Sequence, residues 1–430
     1  MKARPARAQP GLRWPRANRP PTIQYRQDQL RALAHWEADH HHVLSWPVPE
    51  AVLGRFQECL SGHMVLPVGV VGPLAVNLGD YRLDETGCVR ESGRTGEDVF
   101  VPLAHTEGGL SASVQRGVRA AGLAGGIRTH VLADRMTRDS CFVFGSTREA
   151  LRLADWLAGR QTEMADWLRQ ARHAPPAAAL PPVSSHAVLR GLETHVVGPM
   201  CHVLYRFTTG DACGPNMMTR NAYALNQGFI RERFARQTGL EPLHVFVETN
   251  MGGDKKPSHA FFQFPGHGKL VMAEATLPEA VLRRVLRVRA DDVLALEHAG
   301  LHGSHASGMQ SFAFTPASAV AAVFAATGQD LGMVGTSSMA HDSVSRTEDG
   351  IHITIRLSGL EVGTVGGGTS LPHAQAYLRL MDCLGPGKVY RFAQLIAATA
   401  LCLEISATAS MASAGSQNFV QAHSERGGER

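Results

Sequence analysis

The sequence contains very little lysine. Only five of its 42 basic residues are lysines, and the other 37 are arginines. Two of the five, Lys255 and Lys256, are adjacent in the segment NMGGDKKPSH (250–259). Arginine stays charged at any physiological pH, whereas the pKa of a lysine shifts readily with its surroundings. The pair therefore indicates either a reactive site or a solvated turn, which the preceding Gly-Gly-Asp run also favours.

Several common enzyme signatures are absent. The chain has no G-x-G-x-x-G motif and no Walker P-loop, so it predicts neither a Rossmann dinucleotide site nor a nucleotide-hydrolase site. It has no G-x-S-x-G motif either, which excludes the simplest serine-hydrolase interpretation. The stretch RALAHWEADHHH (31–42) lacks the His-Glu-x-x-His spacing of a zinc helix. We interpret that stretch as a polar helix end and expect no metal site.

Paired cysteines and long apolar runs are absent as well. The seven cysteines are scattered and contain no C-x-x-C pair, which argues against a disulfide framework and favours a reducing compartment. We expect no apolar stretch to reach the length of a membrane span. The best candidate, FAQLIAATALCLEISATASMA (392–412), contains Glu404 and predicts a buried helix rich in small residues. We therefore expect a cytoplasmic protein without a membrane segment.

The positive charge is concentrated at the N-terminus. The first 26 residues contain seven basic and no acidic residues, which leaves 35 basic (42 minus 7) and 38 acidic residues in the remainder. A body with this charge balance gives no reason to expect a nucleic-acid partner. The proline-rich segment 1–27 lacks the features of a signal or transit peptide, so we expect a disordered extension that could contact an acidic surface. Residues 28–57 predict a short helical region.

The pattern of residues 139–248 predicts a compact unit. Its order is β-α-β-β-α-β, the ferredoxin-like arrangement. The first helical region is expected to start with a capping box formed by Ser146 and Glu149. The second helix has Pro215 near its first turn and Gly239 past its end, the usual positions of these residues at helix termini.

This unit interrupts a larger domain. At 430 residues the chain is long enough for two or three domains. The pieces of the larger domain are residues 58–138 and 249–415, in which helical runs alternate with glycine-rich turns. Residues 416–430 form a C-terminal segment. The predicted fold class is therefore α+β, with an inserted ferredoxin-like domain.

Two glycine-rich turns and a few ionisable residues are the candidates for chemistry. The turn in TTGDACGPNMM (208–218) opens a helix, where free backbone N–H groups bind anions such as a cofactor pyrophosphate. GTVGGGTS (363–370) offers a second backbone concavity. The ionisable candidates are Glu107, Asp254, Lys255, Lys256, Asp330 and His423. Each alone is better explained as a cap or a satisfied polar group, but Lys, Glu, Asp and His together would suit reduction of a carbonyl.

These motifs occur together in one family. GHMVLPVGVVGPL, HTEGGLSAS, VLADRMTR, GDACGPNM, GGDKKP, GQD and EVGTVGGGT resemble, in order and approximate spacing, the catalytic domain of 3-hydroxy-3-methylglutaryl-CoA (HMG-CoA) reductase. The resemblance runs from about Glu58 to His423, and DKKP is closer to the class I type. It implies a large substrate domain, a small NADPH-binding domain and reduction of the thioester to mevalonate and CoA through a bound aldehyde. It also implies a homodimer or higher homo-oligomer with shared active sites.

The resemblance implies roles for individual residues. Lys255 corresponds to the cation that holds the thioester oxygen, and Glu107 to the proton donor for the aldehyde intermediate. Asp330 corresponds to the acid that links these two and tunes their pKa values, and His423 to the group that protonates the departing CoA thiolate. The positions that correspond to substrate ligands are Arg138, Asp254 and Lys256. Those assigned to NADPH are Asp211, Gly214, Asn216 and Arg220, the last for the 2′-phosphate.

Four positions or segments depart from the family pattern. Glu248 stands where the family usually has a serine, and an acid there repels a carboxylate substrate unless its side chain points away. The other departures are Ala306 and Cys59, each in place of an asparagine, and LGM (331–333) in place of Ala-Gln-Asn.

Three hypotheses for the function follow: reduction of HMG-CoA, reduction of another thioester carried by CoA or an acyl carrier protein, or a non-catalytic binding homologue. Retention of all four catalytic positions argues against the third.

Overall fold

The computed structural model describes residues 19–31, 48–173, 182–263 and 266–427. Most of the predicted polar helix end at 31–42 lies outside these residues. The strands are β1 (Val68–Leu83), β2 (Val89–Ala104), β3 (Ile127–Val143), β4 (Val188–Val197), β5 (Met200–Thr208), β6 (His244–Val247), β7 (Gly268–Pro278), β8 (Ala340–Thr347) and β9 (Gly350–Leu360). The helices are α1 (Pro20–Arg31), α2 (Glu50–Leu53), α3 (Leu110–Leu123), α4 (Thr147–Leu157), α5 (Gln161–Ala171), α6 (Pro215–Ala224), α7 (Glu232–Thr238), α8 (Glu279–Val281), α9 (Ala290–Ala306), α10 (Pro316–Thr327), α11 (Val334–Ser337), α12 (Pro372–Leu380), α13 (Val389–Ala412) and α14 (Gln417–Gly427).

Strand β3 belongs to two sheets. Its first part, residues 128–135, pairs antiparallel with β7, and its second part, residues 136–143, pairs antiparallel with β5. The end of the second part also pairs with β6. The large sheet has the order β2-β1-β3-β7-β9-β8, and the small sheet has the order β6-β3-β5-β4. One continuous strand thus joins the two sheets.

The small sheet carries the predicted β-α-β-β-α-β unit. Helices α4 and α5 follow its first strand, and α6 and α7 follow its third. Helix α4 starts at Thr147, because the Ser146 hydroxyl accepts the N–H of Glu149 at 3.3 Å. Gly239 ends α7 with a left-handed backbone (φ 71°). The predicted α+β class with a ferredoxin-like insert is confirmed, while the domain boundaries stay a prediction.

Helix α1 begins inside the segment that composition assigns to a disordered tail. It starts at Pro20, and the N–H of Arg19 donates to the Thr22 hydroxyl at 3.1 Å across its first turn. Proline is favoured in a first turn, because its fixed φ suits the helix and the missing N–H would have had no partner there. Ile23 on this helix is buried. The helical region thus begins at Pro20 rather than at residue 28.

The apolar segment around Glu404 forms the central helix α13. It has 24 residues, so the expectation that no apolar run reaches the length of a membrane span is wrong. Within the described ranges it is the one helix that is long and apolar enough to cross a bilayer, yet 78% of its most apolar window is buried inside the protein. A helix that is apolar on all sides suits a protein core as well as a bilayer. The segment around Glu404 therefore forms a buried helix, as predicted.

Two polar side chains on α13 hold neighbouring elements to it. The Glu404 carboxylate accepts the N–H groups of Phe314 and Thr315 at 2.8 and 2.9 Å, and so caps the N-terminus of α10. The Gln394 amide accepts the N–H of Gly79 at 2.8 Å and donates to its carbonyl oxygen at 3.0 Å. Buried polar groups are tolerated when they are hydrogen-bonded in this way. These bonds fix α10 and the large sheet against α13.

Helices α3 and α13 approach closely because α3 has a glycine at the contact. A Cβ added to Gly117 would lie 1.9 Å from the carbonyl oxygen of Cys402. A Cβ added to Gly122, on the same helix, would meet no atom within 4 Å. The two glycines therefore differ in whether the fold has room for a side chain.

Replacement of Gly117 by alanine is expected to destabilise the protein by about 2 kcal/mol, because the two helices must move apart to admit the methyl group. The matched Gly122→Ala change should be neutral or stabilising by up to about 1 kcal/mol, since alanine favours a helix. Denaturant unfolding of both variants measures the difference. Equal stabilities of the two variants would contradict the close approach.

Candidate active site

Lys255 and Asp330 form an ion pair. Lys255 Nζ lies 2.7 Å from Asp330 Oδ2, and both side chains are about half exposed. The hydrogen bond to Asp330 raises the pKa of Lys255 above its usual value, so its ammonium group stays charged at neutral pH. The Asp330 carboxylate also accepts the N–H of Gly332 at 2.9 Å, which fixes its position. A held, solvent-accessible cation of this kind can stabilise an oxyanion.

The buried guanidinium of Arg138 organises the loop that carries Lys255. Arg138 lies on β3, and its side chain is only 4% exposed. Its two Nη atoms donate to Glu248 Oε2 at 2.8 Å and to Asp254 Oδ2 at 2.9 Å. Charge-assisted hydrogen bonds of this length are among the strongest in proteins. Arg138 thus pins both ends of the loop 248–254.

Glu248 lies between two cations. Besides its bond with Arg138, its Oε1 lies 3.8 Å from Lys256 Nζ. Lys256 Nζ also donates to the carbonyl oxygen of Asp254 at 3.1 Å. The two cations that the family resemblance assigns to a substrate carboxylate therefore already face a carboxylate of the protein. The Glu248 side chain does not point away from them.

A buried polar chain supports the loop from the protein interior. The Thr137 hydroxyl donates to the carbonyl oxygen of Gly252 at 2.6 Å, and the N–H of Thr137 donates to His267 Nδ1 at 3.1 Å. The Nε2 atom of His267 lies 3.2 Å from Glu361, and both side chains are buried. Sequence reasoning missed His267 and Glu361. Glu361 directly precedes a glycine-rich motif, and that position could have marked it as a candidate site residue. His267 belongs to no such motif, so the sequence alone could not have identified it.

A cavity of about 340 Å³ joins three of the motifs. Its lining comes from the turn 212–217, the segment 328–330 with Met333, and the glycine-rich turn that starts at Gly363. We name it the cofactor cavity. Helix α6 begins here, and the unpaired N–H groups at a helix start attract negative groups. Because Asp330 belongs to the lining, the cavity adjoins the Lys255–Asp330 ion pair.

Close backbone contacts explain the glycines in the walls of this cavity. A Cβ on Gly363 would lie 2.8 Å from the backbone nitrogen of Cys213, and one on Gly368 would lie 2.3 Å from the carbonyl oxygen of Gly328. Gly328 also has a left-handed backbone (φ 67°). The three motifs can meet only because side chains are missing at these points.

The residues predicted to bind the cofactor differ in whether they line the cofactor cavity. Gly214 and Asn216 line the cofactor cavity. The Asp211 carboxylate does not line it, because it caps the N-terminus of α13. The N–H groups that it accepts, at 2.8 to 3.1 Å, are those of Gly387, Lys388 and Val389. Asp211 therefore has a structural role that sequence reasoning did not foresee, and its contact with a cofactor stays a prediction.

The remaining predicted site residues, Glu107, Arg220 and His423, have no hydrogen bond or ion pair with Lys255 or Asp330 in the described part of the chain. Glu107 is exposed in the turn before α3, and Arg220 is exposed on α6. His423 lies on α14, where its Nδ1 is 2.8 Å from the carbonyl oxygen of Phe419 in the same helix. Within one chain, Lys255 and Asp330 therefore bond to each other, and neither bonds to Glu107 or His423 among the described residues.

Comparisons with known proteins identify one family. The family model described as hydroxymethylglutaryl-coenzyme A reductase matches residues 22–427. The chain is 33% identical to the 3-hydroxy-3-methylglutaryl-coenzyme A reductase of Aeropyrum pernix, over 84% of this chain and 80% of that protein. It is 32% identical to the reductase of Pyrococcus horikoshii, over 89% of this chain and 86% of that protein. Identity to the Aspergillus terreus reductase is 32%, over 88% of this chain and 34% of the fungal protein.

A solved structure has the same fold. The class II 3-hydroxy-3-methylglutaryl-CoA reductase from Streptococcus pneumoniae, bound to NADPH in open conformations, matches with a TM-score of 0.61 over 91% of this chain and 97% of that chain. The sequence identity is 16%, so this likeness concerns the fold alone. The family model covers nearly all of the described residues, and the two archaeal relatives match 84 and 89% of this chain. The chain therefore belongs to the hydroxymethylglutaryl-coenzyme A reductase family.

Proposed function

We propose that this protein reduces HMG-CoA with NADPH to mevalonate and CoA. The observation that carries the proposal is the Lys255–Asp330 ion pair beside the cofactor cavity. Reduction of a thioester to an alcohol consumes two hydrides and two protons and releases a thiol, with a bound aldehyde between the two steps. The site must therefore stabilise negative charge on oxygen in both steps and supply protons to the thiolate and to the final alkoxide.

Lys255 supplies the stabilising charge in this proposal. Its ammonium group, held by Asp330, would donate a hydrogen bond to the thioester oxygen as that atom becomes an oxyanion. The same group would then hold the aldehyde oxygen during the second reduction. A cation that is fixed before the reaction needs little reorganisation, which is why such groups lower the barrier.

The cofactor cavity is the proposed NADPH site. Backbone N–H groups at the start of α6 would hold negative groups of the dinucleotide, and Asn216 adds a side-chain donor in the lining. Bound NADPH supplies the hydride. Arg220 is the proposed partner of the 2′-phosphate, since it is exposed on α6 and has no acidic partner among the described residues.

Completion of the site requires Glu107 and His423 to approach Lys255. Both residues are exposed, and neither forms an ion pair with the described residues of its own chain. We propose that a second copy of the chain completes the site, in a homodimer or a higher homo-oligomer. Glu107 would then donate a proton to the alkoxide and His423 to the CoA thiolate.

We also propose a cytoplasmic location. All seven cysteines of the chain are free thiols, and four of them are buried. Free thiols persist in a reducing compartment, whereas an oxidising one favours disulfides.

The purified protein is expected to oxidise about two NADPH for each mevalonate formed from HMG-CoA, because a thioester takes up two hydrides. Lys255→Ala should lower kcat/KM by about 10³-fold, because it removes the charge that stabilises the oxyanion. Lys388→Ala is the matched control, since Lys388 also pairs with an acid, Asp382, at 2.7 Å but lies outside the site. Loss of NADPH absorbance, together with mevalonate quantification, measures both effects. The proposal fails if the wild type binds NADPH without turnover, or if both lysine variants are equally active.

Asp330→Asn is expected to shift the alkaline limb of the kcat/KM profile to lower pH. Asp330 raises the pKa of Lys255, chiefly through their hydrogen bond. Without that carboxylate the ammonium group loses its proton at a lower pH, so activity that needs the charged form declines earlier as pH rises. A pH profile of kcat/KM for wild type and variant measures the shift. A lower kcat with an unmoved alkaline limb would mean that Asp330 acts only by positioning.

A second candidate function, reduction of a thioester whose acyl group lacks a free carboxylate, is favoured by Glu248. Its carboxylate faces both Arg138 and Lys256. HMG-CoA carries a carboxylate a few bonds from its thioester, so that group must meet the same cations beside Lys255. Two ionised carboxylates at one place repel each other. An acyl group without this carboxylate, on CoA or on a carrier protein, meets no such repulsion.

Removal of the Glu248 charge is expected to favour the carboxylate-bearing substrate. Glu248→Ser and the more conservative Glu248→Gln should raise kcat/KM for HMG-CoA, relative to 3-hydroxybutyryl-CoA, by about 10-fold, equivalent to ~1.4 kcal/mol. The exposed Glu241→Gln is the matched control. An unchanged ratio in both Glu248 variants, with thermal stability retained, would show that Glu248 does not set the acyl preference.

A further inference from the structure

Two carboxyl groups meet where β8, α10 and α13 come together. Asp342 lies on β8, at one end of the large sheet, and Glu404 lies on α13. The segment that leads into α10 runs beside the start of β8, since the N–H of Phe312 donates to the carbonyl oxygen of Ala340 at 2.9 Å. The carboxyl groups of Asp342 and Glu404 are hydrogen-bonded to each other. We name these two residues the carboxyl pair.

The Asp342 side chain points towards the interior of the protein. Asp342 stands directly opposite Ile355 in the antiparallel β8–β9 ladder. Directly opposed residues have their side chains on the same face of a sheet, and Ile355 is fully buried. The neighbouring His341 stands opposite Arg356, and side chains alternate along a strand. These two basic residues therefore lie on the other face of the sheet from Asp342.

A hydrogen bond between two carboxyl groups requires a proton on one of them. An ionised carboxylate only accepts hydrogen bonds, so two ionised carboxylates repel each other. In addition, Asp342 Oδ2 is buried, and no N–H or O–H group of the described residues donates to it. A proton on Asp342 resolves both observations, because it makes this carboxyl group a donor.

Glu404 is the member of the carboxyl pair that accepts. Its carboxylate accepts the N–H groups of Phe314 and Thr315 at 2.8 and 2.9 Å, and also the Thr315 hydroxyl. Hydrogen bonds from several donors favour the ionised form of a carboxyl group. The proton therefore belongs to Asp342, whose O–H donates to Glu404.

The surroundings disfavour a second negative charge at this place. Burial and the Glu404 carboxylate raise the pKa of Asp342 to about 7, and burial raises the pKa of Glu404 as well. Glu297 on α9 is a third acid, and it lines the same small cavity as Asp342. This cavity has a volume of about 10 Å³, which is at the lower limit for one water molecule. It has no room for the several waters that a second charge would need.

The neighbouring segments supply no compensating cation. Residues 310–319, which lead into α10, contain no ionisable side chain. Glu404 is the only acidic or basic residue of the segment 392–412. A proton is therefore the simplest means of removing the charge conflict between Asp342 and Glu404.

We propose that Asp342 and Glu404 share one proton in the folded protein, and that this proton makes the carboxyl pair a pH-sensitive latch. With the proton in place, Asp342 ties β8 to α13 while Glu404 caps α10. Without it, two carboxylates face each other beside Glu297, and the tie between β8 and α13 is lost. The latch therefore opens as pH rises through neutrality. This inference does not depend on the proposed reaction.

The latch holds one end of the helix that leads into the proposed active site. Helix α10 runs from this cap to Thr327, and Gly328 ends it with a left-handed backbone. Asp330 follows two residues later. The carboxyl pair and the proposed partner of Lys255 are thus attached to opposite ends of one helix.

The direction of the pH dependence follows from the folded and unfolded states. The usual pKa of an aspartate is 3.8, whereas burial and Glu404 raise the pKa of Asp342 in the folded chain to about 7. Between these values the folded chain keeps a proton that the unfolded chain has lost. The contribution of Asp342 to stability therefore falls as pH rises from about 4 to about 7, and it stays constant above that range.

Thermal unfolding of Asp342→Asn tests the proposal on the full chain. The asparagine amide can donate to Glu404 at every pH, whereas the wild type loses its donor as pH rises. The Tm of the variant minus that of the wild type should therefore increase by about 5 °C between pH 5 and pH 8. Asp342→Ser supplies a second neutral donor and should show the same trend, which keeps the test decisive if the asparagine variant folds poorly. The exposed Glu348→Gln, in the turn after β8, is the matched control, and its difference from the wild type should not change with pH.

Two further measurements detect the proton and the latch directly. A protonated carboxyl group and a carboxylate absorb infrared light at different frequencies. At pH 6 the wild type should show the band of a protonated carboxyl group, which should disappear at pH 9 and be absent from Asp342→Asn. Backbone hydrogen exchange at pH 8 should be slower in Asp342→Asn than in the wild type, within β8 and the first turn of α10.

Three results would overturn the proposal. One is a Tm difference between the wild type and both neutral variants that stays constant from pH 5 to pH 8. Another is the absence of a protonated carboxyl band from the wild type at pH 6. The third is an equal pH-dependent gain in Glu348→Gln, which would assign the effect to the net charge of the protein.

Discussion

A single strand that belongs to both sheets sets the positions of the elements around it. Strand β3 pairs with β7 up to Arg135 and with β5 from Met136 onward, so the two sheets are held together at this point by one stretch of backbone. Arg138 lies just beyond the switch, and its bonds to Glu248 and Asp254 place the Lys255 loop against the same strand. The loop that carries Lys255 is therefore positioned by a few residues of β3.

The loop before Lys255 adopts backbone conformations that few side chains tolerate. Glu248, Asn250 and Lys255 have φ values of 68°, 73° and 58°, each of which costs roughly 1 kcal/mol or more. Such a loop persists only where its surroundings over-determine it. The two charge-assisted bonds of Arg138 and the bond from the Thr137 hydroxyl supply that restraint. The strain is thus concentrated in the segment that presents the proposed catalytic cation.

The scarcity of lysine indicated the position of the proposed catalytic cation, but it did not separate catalytic lysines from structural ones. Each of the four lysines in the described residues faces an acid: Lys255 and Asp330, Lys256 and Glu248, Lys269 and Asp134, Lys388 and Asp382. One of the four, Lys269, is fully buried beneath the sheet junction and holds Asp134 in place, which is a structural role. A rare residue type therefore indicates that its chemistry is needed somewhere, but only its surroundings show whether that need is catalytic.

The amino-acid sequence alone was enough to predict the order of the elements, the helix ends at Ser146 and Gly239, and the buried nature of α13, because these depend on near neighbours and on hydrophobic pattern. Its motifs also located the glycine turns that meet in the cofactor cavity. The pairing of acids with cations becomes visible only in the folded chain. Glu248 pairs with Arg138 across 110 residues, Asp211 caps α13, and the Nε and Nη2 atoms of Arg135 have no hydrogen-bond partner among the described residues. The physical reason is that charge pairing depends on the direction of side chains from distant segments, and no local pattern in the chain encodes that direction.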